Sequence, residues 1–185
     1  MQNAIVCRVL LILVVLIAIF SVDYSAVYSQ KLTYHLEVDE EKWDSFHVRI
    51  IADNVNTNQL LFAMPGWRPG IYVRQDFGRY VQNFQAFDAT AQSLDVSRLN
   101  INTWSVSLGT GNSVRVEYDV DQTEPRLFGP VVNSSFAYVD GAMNFMFIQD
   151  WTHLPAKVDF QVPHGWKLAT AMPPAEASFE FSVLN

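Results

Sequence analysis

Four histidines, one cysteine and nineteen carboxylates are the groups from which this chain could build hydrolytic or metal chemistry. A zinc hydrolase typically holds its metal on two histidines one helical turn apart, with a glutamate general base between them, in the pattern His-Glu-x-x-His. His35, His47, His153 and His164 contain no such i, i+4 pair, and none lies in a segment of helical periodicity. A metal cage would have to be gathered from distant strands. His35 and His47 fall on the polar faces of alternating segments, where solvation is the expected fate. The single cysteine, Cys7, sits in an apolar leader, so the chain beyond it has neither a nucleophilic thiol nor a disulfide. No Gly-x-Ser-x-Gly elbow, P-loop or Gly-x-Gly-x-x-Gly turn occurs, and no two carboxylates are marked out as an acid–base couple. These residues predict no catalytic group, no metal ligand and no cofactor in this chain. The net charge of −7, without a Lys/Arg cluster, argues against a nucleic-acid partner.

One constellation stands apart. Residues 64–72 read Met-Pro-Gly-Trp-Arg-Pro-Gly-Ile-Tyr, and residues 73–81 follow as Val-Arg-Gln-Asp-Phe-Gly-Arg-Tyr-Val. Pro65 and Pro69 each fix φ, whereas Gly66 and Gly70 permit positive φ, so the run predicts a defined corner. Trp67 and Tyr72 are expected to pack across it, with Arg74, Asp76 and Arg79 forming a charged cluster beside it. The corner has two readings. It is a rigid inter-strand turn with surface ion pairs, or Trp67, Arg68, Pro69, Gly70, Tyr72, Arg74, Asp76 and Arg79 form a contact platform for another domain or the rim of a cleft.

The elements that must position this corner are strands. Residues 34–38, 46–50, 104–108, 114–120 and 158–162 alternate apolar and polar with period two, which means one face buried and one wet. Residues 60–64 and 143–148 are apolar stretches and read as strands buried on both faces; the second, from Ala142, follows an Asp-Gly turn. Turn residues separate the strands, with 109–112 read as a hairpin turn. Residues 73–81 allow one or two helical turns with Val73, Phe77, Tyr80 and Val81 on one side, weakened by Gly78. Half the chain is hydrophobic and 14% is aromatic, enough for a packed core. The expected fold is all-β, an antiparallel β-sandwich-like domain over residues 30–185. Residues 1–29, with Arg8 before an apolar run, read as a signal peptide cleaved after Ser29; an uncleaved anchor is the other reading. The expected location is therefore outside the cytoplasm, periplasmic or extracellular, with no membrane contact after cleavage. Residues 171–176 are the best linker candidate, residues 179–183 begin a further strand, and Asn133-Ser-Ser135 is a glycosylation sequon of use only in a eukaryotic source.

Several ordered blocks carry a family resemblance. Pro65-x-Trp67-x-Pro69-Gly70-x-Tyr72 resembles the hallmark of the N-terminal domain of glycyl-aminopeptidase-type metallopeptidases, family sixty-one of that class. Arg74-Gln-Asp-Phe77, Val81-Gln-Asn-Phe84 with Ala86 and Asp88, Asn102-Thr-Trp-Ser-Val106, the strand 114–120, Pro163-His-Gly-Trp166 and Ala169-Thr-Ala171 match its pattern too, so the resemblance spans about residues 31 to 183. It implies a β-rich domain that precedes a thermolysin-like zinc domain, often followed by a PDZ domain. That zinc domain removes N-terminal residues, with small ones preferred. None of the family's catalytic positions is present, so no ligand or base is carried over, and zinc would belong to the parent enzyme. Gly141-Ala-Met-Asn144 is similar to a Gly-Ala-Met-Glu-Asn loop of another zinc aminopeptidase family, but the glutamate that holds the substrate amine is missing. The expectation is a non-catalytic N-terminal domain of an exported zinc aminopeptidase, packing against and shaping access to a catalytic domain that is not in this chain. Its alternatives are a free-standing binding module for peptide or carbohydrate, and a truncated reading frame without activity.

Overall fold

The computed structural model describes residues 30–124, 129–172 and 181–184. The leader with Cys7 and most of the 171–176 linker lie outside these residues. Twelve strands are described: β1 (Lys31–Glu37), β2 (Ser45–Asp53), β3 (Gln59–Ala63), β4 (Val81–Phe87), β5 (Asp95–Asn100), β6 (Thr103–Ser107), β7 (Ser113–Asp121), β8 (Val131–Val132), β9 (Ala137–Tyr138), β10 (Phe147–Ile148), β11 (Ala156–Gln161) and β12 (Phe181–Leu184). They form a six-stranded sheet in the order β12-β11-β1-β2-β7-β4, a four-stranded sheet in the order β10-β3-β6-β5, and the two-stranded ribbon β8-β9. The fold is all-β, as the alternation predicts. Most pairs are antiparallel, but β11 lies parallel to β1 and β12 parallel to β11.

The inner face of the large sheet is the one the period-two pattern marks. Phe46, Val48 and Ile50 of β2 and Val114, Val116, Tyr118 and Val120 of β7 are all buried, and β2 and β7 pair over nine residues. Burial of each such apolar side chain stabilises by about 1.5–3 kcal/mol. Phe84 of β4 crosses to the small sheet, lying 5.3 Å from the Trp104 ring and 6.3 Å from Phe62, while its other neighbour, Tyr118, is 6.2 Å away. Tyr34, Trp104 and Tyr118 are core residues, as expected.

Four local expectations are corrected. Residues 109–112 do not close a hairpin: β6 belongs to the small sheet and β7 to the large one, so the turn carries the chain from sheet to sheet. Residues 142–148 are not one strand. Asp140 Oδ1 accepts from the Ala142 N–H at 3.0 Å and caps a single helical turn, α1 (Gly141–Asn144), before the two-residue β10. A short, mainly apolar run carries no period that separates a buried strand from a helical turn. Within residues 73–81, only Phe77–Tyr80 turns, as a 3-10 turn entered through Asp76 at φ 48, and Val73 is exposed. The strand histidines are not simply solvated: His47 Nδ1 lies 2.9 Å from Asp119, and His35 Nδ1 3.3 Å from Asp159.

The phenol of Tyr118 ties α1 and β10 to the large sheet. It donates to the Asn144 carbonyl and accepts from the Met146 N–H, both at 2.9 Å, and Tyr34 donates to the Met146 carbonyl at 2.9 Å. Burial raises the Tyr118 pKa well above its ordinary value and that of Tyr34 to about 12, so both phenols stay neutral donors. Tyr118→Phe leaves a buried carbonyl and a buried N–H unpaired, and should cost about 2 kcal/mol in urea unfolding with an unchanged m value.

Acid should weaken the fold. Burial lowers the His35 pKa below the ordinary 6.5, outweighing the opposing pull of Asp159, so below that value the unfolded chain takes up the proton first and stability falls. For Asp119, burial acts upward but is overcome by hydrogen bonds from Asn83 and His47 and by Lys42, leaving its pKa below the ordinary 3.8. Its contribution is complete above the unfolded value and is lost as pH falls through the folded one. The urea midpoint should therefore drop from about neutral pH downward in two limbs. His35→Gln should flatten the upper limb and Asp119→Asn the lower.

Candidate functional site

The corner between β3 and β4 is held by residues outside it. Asn102, buried in the turn between β5 and β6, makes four bonds: its Oδ1 accepts from the Gly78 N–H at 2.9 Å, its Nδ2 donates to Asp76 Oδ1 at 2.9 Å, its carbonyl accepts from the Met64 N–H at 2.8 Å, and its own N–H donates to Asn100 Oδ1 at 2.9 Å. Arg98 of β5 donates to the carbonyls of Gly78 at 2.9 Å and Ile101 at 2.8 Å, with its guanidinium 4.6 Å over the Trp104 ring. Gly78 has no room for a side chain, since a Cβ there would lie 2.0 Å from the Ile101 carbonyl. The Gly70 backbone sits at φ 87, where glycine is favoured.

The structure separates the sequence-predicted site residues into two groups. Arg68 turns inward, is buried, and pairs with Asp140, the residue that caps α1. Arg74 Nε donates to Asp76 Oδ1 at 2.6 Å, and this bond, together with Asn102, holds the Asp76 carboxyl below its ordinary pKa. Arg79 donates to the carbonyls of Gln75 at 2.6 Å and Asp76 at 3.3 Å. The expected charged cluster is therefore present. Pro69 and Gly70 are exposed at the tip. Trp67 and Tyr72 do not pack across the turn: they are 51% and 89% exposed, because Arg68 rather than an aromatic fills the interior side. The exposed aromatics Trp67, Tyr72, Phe136 and Tyr138 lie on the corner and the β8-β9 segment, not in a row across either large sheet.

Asn102, Arg98 and Asp140 are the positioning residues that sequence reasoning missed. Asn100-Ile-Asn102 between β5 and β6 was a legible turn signal, but its reach of more than twenty residues back to Gly78 was not. Asn144 is fully buried with neither side-chain amide atom partnered among the described residues, and Arg68 Nε is likewise unpartnered. Among the described residues no group of three or more His, Cys, Asp or Glu is placed to hold a metal ion. The described residues do not fit a zinc site. No helix among the described residues is long and apolar enough to cross a membrane.

Residues 33–185 match the family described as Peptidase M61 N-terminal domain. The chain belongs to that family. Among solved structures it is similar to the crystal structure of an aminopeptidase N family protein from Idiomarina loihiensis, with 20% identity and a TM-score of 0.64 over 72% of this chain. The match takes in 22% of that protein, so the M61 N-terminal domain described here spans under a quarter of its length. A mutant M1 zinc metallopeptidase from Deinococcus radiodurans bound to a Tyr-Ser-Ala substrate matches at 17% identity and a TM-score of 0.38, over 70% of this chain and 30% of that one. None of the curated proteins compared with the M61 domain matches it.

Asn102→Ala removes two side-chain bonds that fix residues 76–78. It should cost about 2–3 kcal/mol and open residues 66–79 to limited proteolysis before the β2–β7 core unfolds. Cleavage appearing only with global unfolding would show that the corner does not depend on it.

Proposed function

We propose that this M61 domain is the non-catalytic N-terminal part of an exported zinc aminopeptidase, and that it packs against the catalytic domain and shapes access to its cleft. The observation that carries this reading is the pairing of display with rigidity. Trp67 and Tyr72 project into solvent from a backbone pinned by Asn102, Arg98 and the buried Arg68–Asp140 pair. An exposed aromatic on a mobile loop loses entropy on docking, whereas one on a fixed corner keeps most of its contact energy. Trp67, Pro69, Gly70 and Tyr72 form the contact, and Arg74, Asp76 and Arg79 its charged rim. Membership of the M61 family and the short share of the Idiomarina loihiensis protein that the domain covers support a partner domain in the same polypeptide. In this reading zinc and the hydrolytic step belong to that partner, and the leader at residues 1–29 directs the whole to the periplasm or the exterior.

The test is association with an M61 zinc-peptidase domain supplied in trans, followed by calorimetry. Trp67→Ala combined with Tyr72→Ala should weaken binding at least about tenfold, the scale of one interface hot spot, while Phe136→Ala on the β8-β9 turn leaves it unchanged. Equal binding by the double variant and the parent chain would sink the assignment of the corner.

A further inference from the structure

At the opposite end of β3 from the corner lies a polar cleft of ≈ 440 Å³, within the size range of small-ligand sites. Asn56, Thr57 and Gln59 enter from one side and Gln149 and Asp150 from the other, with Trp151 among the lining residues. Asn56, Gln149 and Asp150 make no side-chain hydrogen bond or ion pair within the described residues. Gln59 spends its Nε2 on Ser105 at 2.8 Å and keeps its Oε1 free. The Asp150 backbone sits at φ 68, in a turn closed by the Trp151 N–H on the Ile148 carbonyl at 3.1 Å. Four amide side chains, those of Gln30, Asn56, Gln59 and Gln149, and one carboxylate therefore line a single space.

From this lining we infer that the cleft is a binding site for a neutral saccharide. A side-chain amide presents a donor and an acceptor side by side, and a carboxylate presents two acceptors, a set that matches vicinal hydroxyls, each of which both donates and accepts. The only side-chain charge in the lining is the Asp150 carboxylate, and the chain as a whole carries −7, which disfavours phosphate, sulfate and uronate ligands. Half-buried Leu61 supplies apolar surface for the C–H face of a sugar ring, with the buried Leu60 and Trp151 forming the floor beneath it. An extended peptide is disfavoured, because the β3 edge here has no free ladder: the Leu61 carbonyl accepts from the Gln149 N–H at 2.9 Å, and the N–H and C=O of Gln59 both engage the Thr57 hydroxyl, at 3.4 and 3.2 Å. The site is independent of the corner and of the aminopeptidase reading.

The experiment screens the full chain against immobilised neutral oligosaccharides (gluco-, manno-, galacto- and chito-series), their sulfated and uronate counterparts, and unmodified peptides, with hits titrated by calorimetry. At least one neutral series should bind. Asn56→Ala and Gln149→Ala should each weaken it about tenfold, the loss of one buried polar contact, without moving the thermal midpoint. Acidic counterparts should bind more weakly, and Asp150→Asn should narrow that gap. The proposal is overturned if no neutral saccharide binds, if binding is indifferent to Asn56 and Gln149, or if peptides compete for the same residues.

Discussion

The hydroxyl of Tyr118 is the interaction on which the far side of the domain depends. It stands at the middle of the inner face of the large sheet and bonds to backbone at both Asn144 and Met146. Segment 141–148 takes its place from those two bonds. That segment carries Asp140 at its head, Asp140 pairs with Arg68, and Arg68 is the inward anchor of the 64–72 corner. A chain of specific polar contacts thus runs from the centre of the core to the most exposed aromatics on the surface. It works because these contacts are made between groups largely removed from water, and because burial keeps the phenol from ionising at any ordinary pH. Apolar packing sets how stable the domain is; these few polar contacts set where its loops lie.

The corner combines two properties that oppose each other in most loops. Its backbone is held as firmly as a core segment, with a glycine at 78 packed against the Ile101 carbonyl and an asparagine bonding in four directions. Its side chains at 67 and 72 are nevertheless given to solvent. Keeping two large aromatics exposed forgoes burial energy that an inward rotamer or a smaller residue would have avoided losing. On the proposed reading, this mount is what makes the two aromatics usable as a contact.

The strands with one wet face were legible because period two leaves a direct trace: β1, β2 and β7 follow it residue by residue. Strands β4 and β5 left no such trace. In β4 the left-handed Asn83 and a register shift between Gln82 and Gln85 break the alternation, and β5 is exposed on both faces, so nothing selects apolar residues there. The corner was visible from its prolines and glycines, but the direction of its side chains was not. Whether Trp67 or Arg68 fills the interior is decided by Asp140, seventy-two residues away, and no local pattern encodes a partner at that distance. The polar cleft was equally invisible, since amides at 56, 59 and 149 read as ordinary surface until the strands bring them together.

The strand order also dictates when the domain can come into being. The second strand waits for its neighbour β7, some sixty residues downstream, and the first finds its parallel neighbour only at β11, more than a hundred residues later. A polypeptide leaving a ribosome or a translocation pore can therefore pair these two apolar strands only with each other until the later strands have emerged. Connections of such long range make for slow assembly, and they place the early strands in the care of whatever shields nascent chains in that compartment.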